Sequence, residues 1–454
     1  MTSTAGDRKR AELAAKTAAL RDEFAHWRAE SAAGKPLEKH HTQIHRITAR
    51  LGVLLELLTA EPAAGDLLDH WQSIETSLLD VHHLWDFFRT KFASRYPPWL
   101  RDILIVGDEL VWSCYEPAQR AAVQANQIEP EAVREPPLTF FSTDAGPVAL
   151  ARHAVYRVRG RGSELHTQEF AGELQALPVP VTAVPWHQAG HLPDVLMLAH
   201  ESGHHVQDDF RLTAVLTAAV AAGLSAAGTP QWRQDFWVAR FDEIFADVYG
   251  VLAVGAAYVA ALIDFLAAPA ATIAMLAADR RYPPPHLRVQ IALAALRATC
   301  PADPRGPALT GAWWDAHPEH DYQEYDADVT PLVDAILAEP LPVFGSVPLP
   351  GVLSFGQWWR EAEVDNARMI ARRKPDSGNP RALLAAAALA FHDDPATYGD
   401  VGVAALARAR VLAVQAQGTR FRSQARVQPQ LAAADRAAAE ALHRRLSERR
   451  RQPG

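Results

Sequence analysis

Cysteine is nearly missing from this sequence: Cys114 and Cys300 are the only two in 454 residues. That scarcity argues against a disulfide scaffold, rules out a Cys-type zinc site and points to a reducing compartment. Long hydrophobic runs are missing too. The best stretch, Val248–Ile263, is Ala- and Gly-rich, is bounded by Asp247 and Asp264, and falls short of the about 20 strongly apolar residues that a spanning helix needs. Leu212–Leu224 is shorter still, so both stretches read as buried core helices and no membrane span is expected. Met1–Arg10 leads into a charged amphipathic helix without an apolar core, so no signal peptide is expected. Nor is there an excess of positive charge. With 45 Lys and Arg against 53 Asp and Glu, the net charge of -8 argues against nucleic acid as a partner. The expectation is a soluble, cytoplasmic protein, long enough for two or three domains and a large core.

What the sequence does contain is His200-Glu201-Ser202-Gly203-His204, within an apolar context of Leu198, Ala199 and Val206. On a helix, residues four apart share a face, so His200 and His204 can both aim a ring nitrogen at one metal ion. Glu201 lies about 100° round the axis, where it can reach a water at that ion. Zinc takes nitrogen ligands at about 2.0–2.1 Å and, in catalytic sites, leaves one position open for water. The pattern is a zinc hydrolase signature, with one Zn²⁺ per chain expected.

Two histidines need a third ligand. Downstream, Phe241-Asp242-Glu243-Ile244-Phe245-Ala246-Asp247-Val248 places two carboxylates four residues apart inside an apolar helical stretch. Buried carboxylates are costly unless a cation or donor meets them. Glu243 therefore reads as the third zinc ligand, and Asp247 as the acceptor for a ligand imidazole N–H, fixing its tautomer. The competing reading pairs both carboxylates with Arg233 or Arg240 on a helix surface. Gln207 and Phe210 stand where a metzincin would carry Gly and His, which excludes that class. Asp208 or Asp209 as third ligand sits too close along the helix to wrap back onto the metal face easily.

With these motifs the chain resembles the gluzincin metallopeptidases, and within them the family of the CAAX prenyl proteases and membrane heat-shock proteases. The likeness rests on His200-Glu201-x-x-His204, on Glu243-x-x-Ala246-Asp247, and on Tyr282-Pro283-Pro284-Pro285-His286-Leu287-Arg288. It covers roughly residues 190–300. The resemblance implies an oxyanion-stabilising His at the start of the third motif, where this chain has Tyr282. A Tyr hydroxyl can donate the same hydrogen bond, so Tyr282 is one candidate for that role and His286 its rival. The resemblance also implies that Arg288 positions substrate or braces the site. Members of that family are commonly embedded in membranes, and here the chain departs from them.

The apolar spacing predicts helices over 8–32, 36–59 and Asp66–Phe92, with surface and packing roles for His40, His41, His45, His82 and His83. Short β-like runs follow at Leu138–Thr143, Ala154–Val158 and Val179–Val184, the last confined to a sheet edge by Pro180. In gluzincins such an edge pairs with extended substrate. His317 and His320 read as loop residues, Leu341–Gly351 as a linker, and 352–450 as Ala-rich helices ending in a basic, solvated terminus. The fold class expected is mainly α (α+β): a zincin-like catalytic core with a small sheet over 131–340, flanked by helical regions over 1–130 and 341–454.

The function expected is a zinc metalloendopeptidase acting on a peptide or protein substrate, with Glu201 as general base. Two alternatives stand beside it. One is a zincin-fold scaffold without hydrolysis, which would have no chemical need for Glu201. The other is a zinc amidase on a non-peptide amide, whose deformylase version would want a Cys ligand nearer than Cys114.

Overall fold

The computed structural model describes residues 4–60, 67–128, 137–143, 146–150, 179–274, 282–318, 320–417 and 429–451. The chain is mainly helical with one small sheet, as the sequence leads one to expect. Helix α1 (Ala5–Glu30) opens on a capping box in which the Asp7 amide donates to Thr4 Oγ1 and the Thr4 amide to Asp7, both at 3.1 Å. In α2 (His41–Ala60) the residues Ile44, Ile47, Leu51, Leu54, Leu55 and Leu58 recur every three or four positions and form one buried stripe. That stripe packs on Leu20 and Phe24 of α1 and on Leu84, Trp85 and Phe88 of α3 (Trp71–Ala93). Each such side chain contributes about 1.5–3 kcal/mol through burial.

Helix α4 (Pro98–Gln124) starts with proline, whose fixed φ suits a first turn. It belongs to a second, larger core together with the helices that follow. The two layers are joined by a buried charge network. Arg95, two residues past the end of α3, donates to Asp108 of α4 at 2.8 Å and to the Thr139 carbonyl at 2.9 Å, and Asp108 also accepts from the Thr139 amide at 3.1 Å.

The sheet has the order β1 (Leu138–Ser142), β3 (Val181–Pro185), β2 (Val148–Leu150). β1 runs parallel to β3, with Phe140 opposite Ala183, and β2 runs antiparallel, with Ala149 opposite Thr182. This corrects the edge position expected for Val179–Val184: β3 is the central strand, and it is buried along its length. Pro180 lies just ahead of the strand and removes no donor from it, while its carbonyl accepts the Leu138 amide at 2.9 Å. Over 181–183 the backbone of β3 is thus paired on both sides, which leaves no edge there for a substrate strand. The run Ala154–Val158 lies outside the described residues.

The helix that carries the His-Glu motif, α5 (Met197–Asp209), is followed by α6 (Thr213–Ala226), α7 (Phe241–Val254), α8 (Ala256–Phe265) and α9 (Pro285–Thr299). α7 and α9 are apolar on nearly every face and are buried accordingly. The run Val248–Ile263 is not one helix. Gly255, at φ 62° and ψ -139°, turns the chain between α7 and α8 in a conformation essentially reserved for glycine. No single described helix is long and apolar enough to cross a membrane.

One core runs from Val106 of α4 to Val411, taking in α10 (Asp326–Ala338), α11 (Trp359–Ile370), α12 (Pro380–Asp393) and α13 (Val403–Gln417). The last helix, α14 (Pro429–Arg451), returns to the N-terminal layer, where Asp435 accepts from Arg50 at 2.7 Å.

Candidate metal centre

The site is built where α5 crosses α7. A Cβ on Gly203 would lie 3.0 Å from both Ala246 Cα and Tyr249 Cβ, so its absence lets the two backbones approach closely. The approach sets Glu243 against both imidazoles. Glu243 Oε2 is 3.2 Å from His200 Nε2 and 3.7 Å from His204 Nε2. One ligand atom from each of the three residues lies within 4.8 Å of the others, a geometry able to hold a metal ion. α5 is itself anchored: His205 Nε2 meets Thr182 Oγ1 of β3 at 3.0 Å, and Tyr115 of α4 donates to Asp209 at 2.5 Å. Asp209 therefore points away from His200, His204 and Glu243.

Charge at the site fits a divalent cation. Glu201, Glu243, Asp247 and Arg288 are all buried. With neutral imidazoles, three carboxylates against one guanidinium leave two negative charges, which only a cation offsets inside a core. In the arrangement seen, a protonated His200 offsets part of that charge. Burial disfavours a charged His200, yet its hydrogen bonds to Asp247 and Glu243 outweigh burial and push it up to about 9. Burial likewise opposes ionised Glu243, but His200 and His204 hold it well below the usual carboxylate range. Asp247 is also buried, and Arg288 followed by His200 keep it ionised far below its ordinary value.

Asp247 occupies the other side of His200, with Oδ1 2.9 Å from Nδ1. That contact commits Nδ1 and leaves Nε2 to face Glu243, the tautomer a metal-ligating histidine needs. Asp247 is in turn gripped by Arg288 of α9 through Nε and Nη2, each at 2.8 Å, and by the Tyr258 hydroxyl of α8 at 2.6 Å. Arg288, rather than Arg233 or Arg240, is thus the counter-ion. Arg233 pairs with Asp328 at 2.8 Å, and Arg240 Nε donates to the Tyr282 carbonyl at 3.2 Å.

Tyr258 fits because α7 has glycine beneath it. A Cβ on Gly250 would lie 2.5 Å from the Tyr258 ring, a distance that forces something to shift. Gly250→Ala is therefore expected to push the ring off Asp247 and cost about 1–3 kcal/mol, the usual range for overpacking. Urea unfolding at fixed zinc measures it, and an unchanged midpoint would refute the close-packing argument.

The structure separates the two candidates in the third motif. Tyr282 is part-exposed, and the Arg288 guanidinium lies 5.5 Å from its ring centroid, which puts Tyr282 at the edge of the site. His286 is fully buried, and its ring sits 4.3 Å from His320 and 5.5 Å from Trp313. Two residues apart on one helix means about 200° of rotation, so Arg288 and His286 face opposite ways. In this arrangement His286 has no open side to offer a substrate, and Tyr282 remains from that stretch. Cys114 is no ligand either: it is buried in the core, where burial pushes its thiol up to about 12.

Sequence reading missed Tyr258 and Gly250. The signal available was a Tyr inside the Ala-rich run after Gly255, where a buried phenol needs a hydrogen-bond partner. Compared with known proteins, the chain matches no family model, and no curated protein or solved structure is significantly similar to it.

Proposed function

We propose that the protein is a zinc-dependent metallopeptidase, with His200, His204 and Glu243 as ligands and Glu201 as general base. The observation that carries the reading is the convergence of two imidazole nitrogens and one carboxylate oxygen within 4.8 Å, with Glu201 next in the chain to a ligand. Two histidines and one carboxylate form a donor set suited to catalytic zinc. Bound there, zinc supplies Lewis acidity, which makes water nucleophilic near neutral pH and polarises a carbonyl. Glu201 takes the proton from the attacking water and delivers it to the leaving amine. Asp247 holds the His200 ring in place, Arg288 and Tyr258 hold Asp247, and the Tyr282 hydroxyl donates to the developing oxyanion.

The test is metal content after loading with zinc, followed by cleavage of an unstructured protein. The wild type is expected to retain one zinc per chain and to cleave. Glu243→Ala is expected to weaken zinc binding by more than about 100-fold, beyond what removing a supporting partner costs, and to abolish cleavage. A wild-type chain that takes up no zinc, or a Glu243→Ala chain that holds it as tightly, would overturn the assignment.

A further inference from the structure

Arg381, at the start of α12, is buried, with only 7% of its surface exposed. Its Nη1 donates to the carbonyls of Ala253, at 3.0 Å, and Ser354, at 3.3 Å. Ala253 lies at the C-terminal end of α7, ten residues and so about 15 Å along that helix from Glu243. Among the described residues Arg381 makes no ion pair, and its Nε has no hydrogen-bond partner. The C-terminal carbonyls of α7 offset part of the charge. They do not satisfy Nε, and a buried cation without a paired anion is unusual.

Arg381 lines a cleft of about 760 Å³ together with Trp112 and Glu116 of α4, Leu353, Trp358 and Asn379. A volume of this size is typical of small-molecule sites. A second lining residue carries an unpartnered donor: the indole Nε1 of Trp358 is buried and makes no hydrogen bond among the described residues. The carboxylates around the cleft are engaged elsewhere. Glu116 pairs with Arg120 on its own helix, and Glu361 accepts from Ser377 Oγ at 2.9 Å.

We propose that this cleft binds a carboxylate-bearing ligand with a flat apolar body, its carboxylate on Arg381 and Trp358 Nε1 and its body between the two indoles. A carboxylate presents two coplanar acceptors and matches the fork of a guanidinium edge, while an indole N–H donates one further bond. The metal centre is not needed for this site. A free aromatic acid and the C-terminus of a peptide ending in an aromatic residue share the chemistry.

The probes are 3-phenylpropionate, its neutral amide, and N-acetyl-Ala-Phe with a free carboxylate, titrated calorimetrically into the full chain. The acid is expected to bind, and the amide at least about tenfold more weakly, the loss of a hydrogen bond to a charged group. Trp358→Phe keeps an aromatic ring, removes the donor and is expected to weaken the acid about tenfold. Arg381→Gln is expected to abolish binding, and if that variant fails to fold, Trp358→Phe and the acid–amide pair decide the matter. Tighter binding of the peptide than of the free acid assigns the ligand to a chain terminus, and the reverse assigns it to a small acid. A carboxylate can also ligate zinc, so acid binding that is indifferent to substitutions at this distant cleft overturns the proposal. So does equal binding of acid and amide, or no binding of the acid below about 10 mM.

Discussion

Glu201→Gln is expected to leave zinc content at one per chain and to lower peptide turnover by about 10²–10⁴-fold, the range for removing one positioned general base. Glu201 stands apart from the three convergent ligand atoms, so exchanging its carboxylate for an amide of the same shape takes nothing from the metal cluster. It is also buried, at 6% exposure, so solvent offers no ready substitute for its proton transfer. The stability of the variant should stay within about 1 kcal/mol of wild type, or rise, because one buried negative charge beside two others is removed. Zinc analysis, unfolding and steady-state turnover of a fluorogenic peptide separate these effects. Turnover within about threefold of wild type in a zinc-loaded variant would remove Glu201 from the mechanism and, with it, the main argument for hydrolysis.

What was legible in the sequence is what local spacing encodes. The stripe of Ile44, Ile47, Leu51, Leu54 and Leu58 states both a helix and its buried face, and α2 presents them that way. The shared face of His200 and His204 likewise follows from a four-residue step. Glu243 stood out because a carboxylate in an apolar helix needs a reason to be there. The rest depends on contacts that no spacing reveals. The order of the sheet is set late in the chain, when β3 slots between the two earlier strands. Pro180 suggested an edge only because Leu138, whose amide donates to the Pro180 carbonyl, is far away in sequence. His286 looked available beside Arg288 until Trp313 of the next helix and His320 of the loop after it closed over it. Tyr258 reaches Asp247 only because Gly255 breaks an apolar run that reads as continuous. Nor does spacing reveal that one core gathers α4 and the C-terminal helices around α5 and α7.

Arg288→Met is expected to lower the unfolding free energy by about 3–5 kcal/mol, the cost of stranding a buried charge by removing its partner. Asp247 is fully buried and receives two hydrogen bonds of 2.8 Å from that guanidinium. Without them its ionised form keeps only Tyr258 and His200 as partners. The double variant Arg288→Met, Asp247→Asn removes both charges, and much of the lost stability should return, because a buried pair is worth far less net than either half costs alone. Zinc affinity should behave differently. In Asp247→Asn the side-chain amide oxygen offers His200 Nδ1 a weaker acceptor than the carboxylate does, so the double variant should still bind zinc about 10–100-fold more weakly than wild type. Urea unfolding and competition against a zinc chelator read the two quantities separately. If stability and affinity recover together, Arg288 and Asp247 serve packing alone. If stability recovers while affinity stays low, Asp247 positions a metal ligand and Arg288 holds Asp247 in the charged state that the task requires.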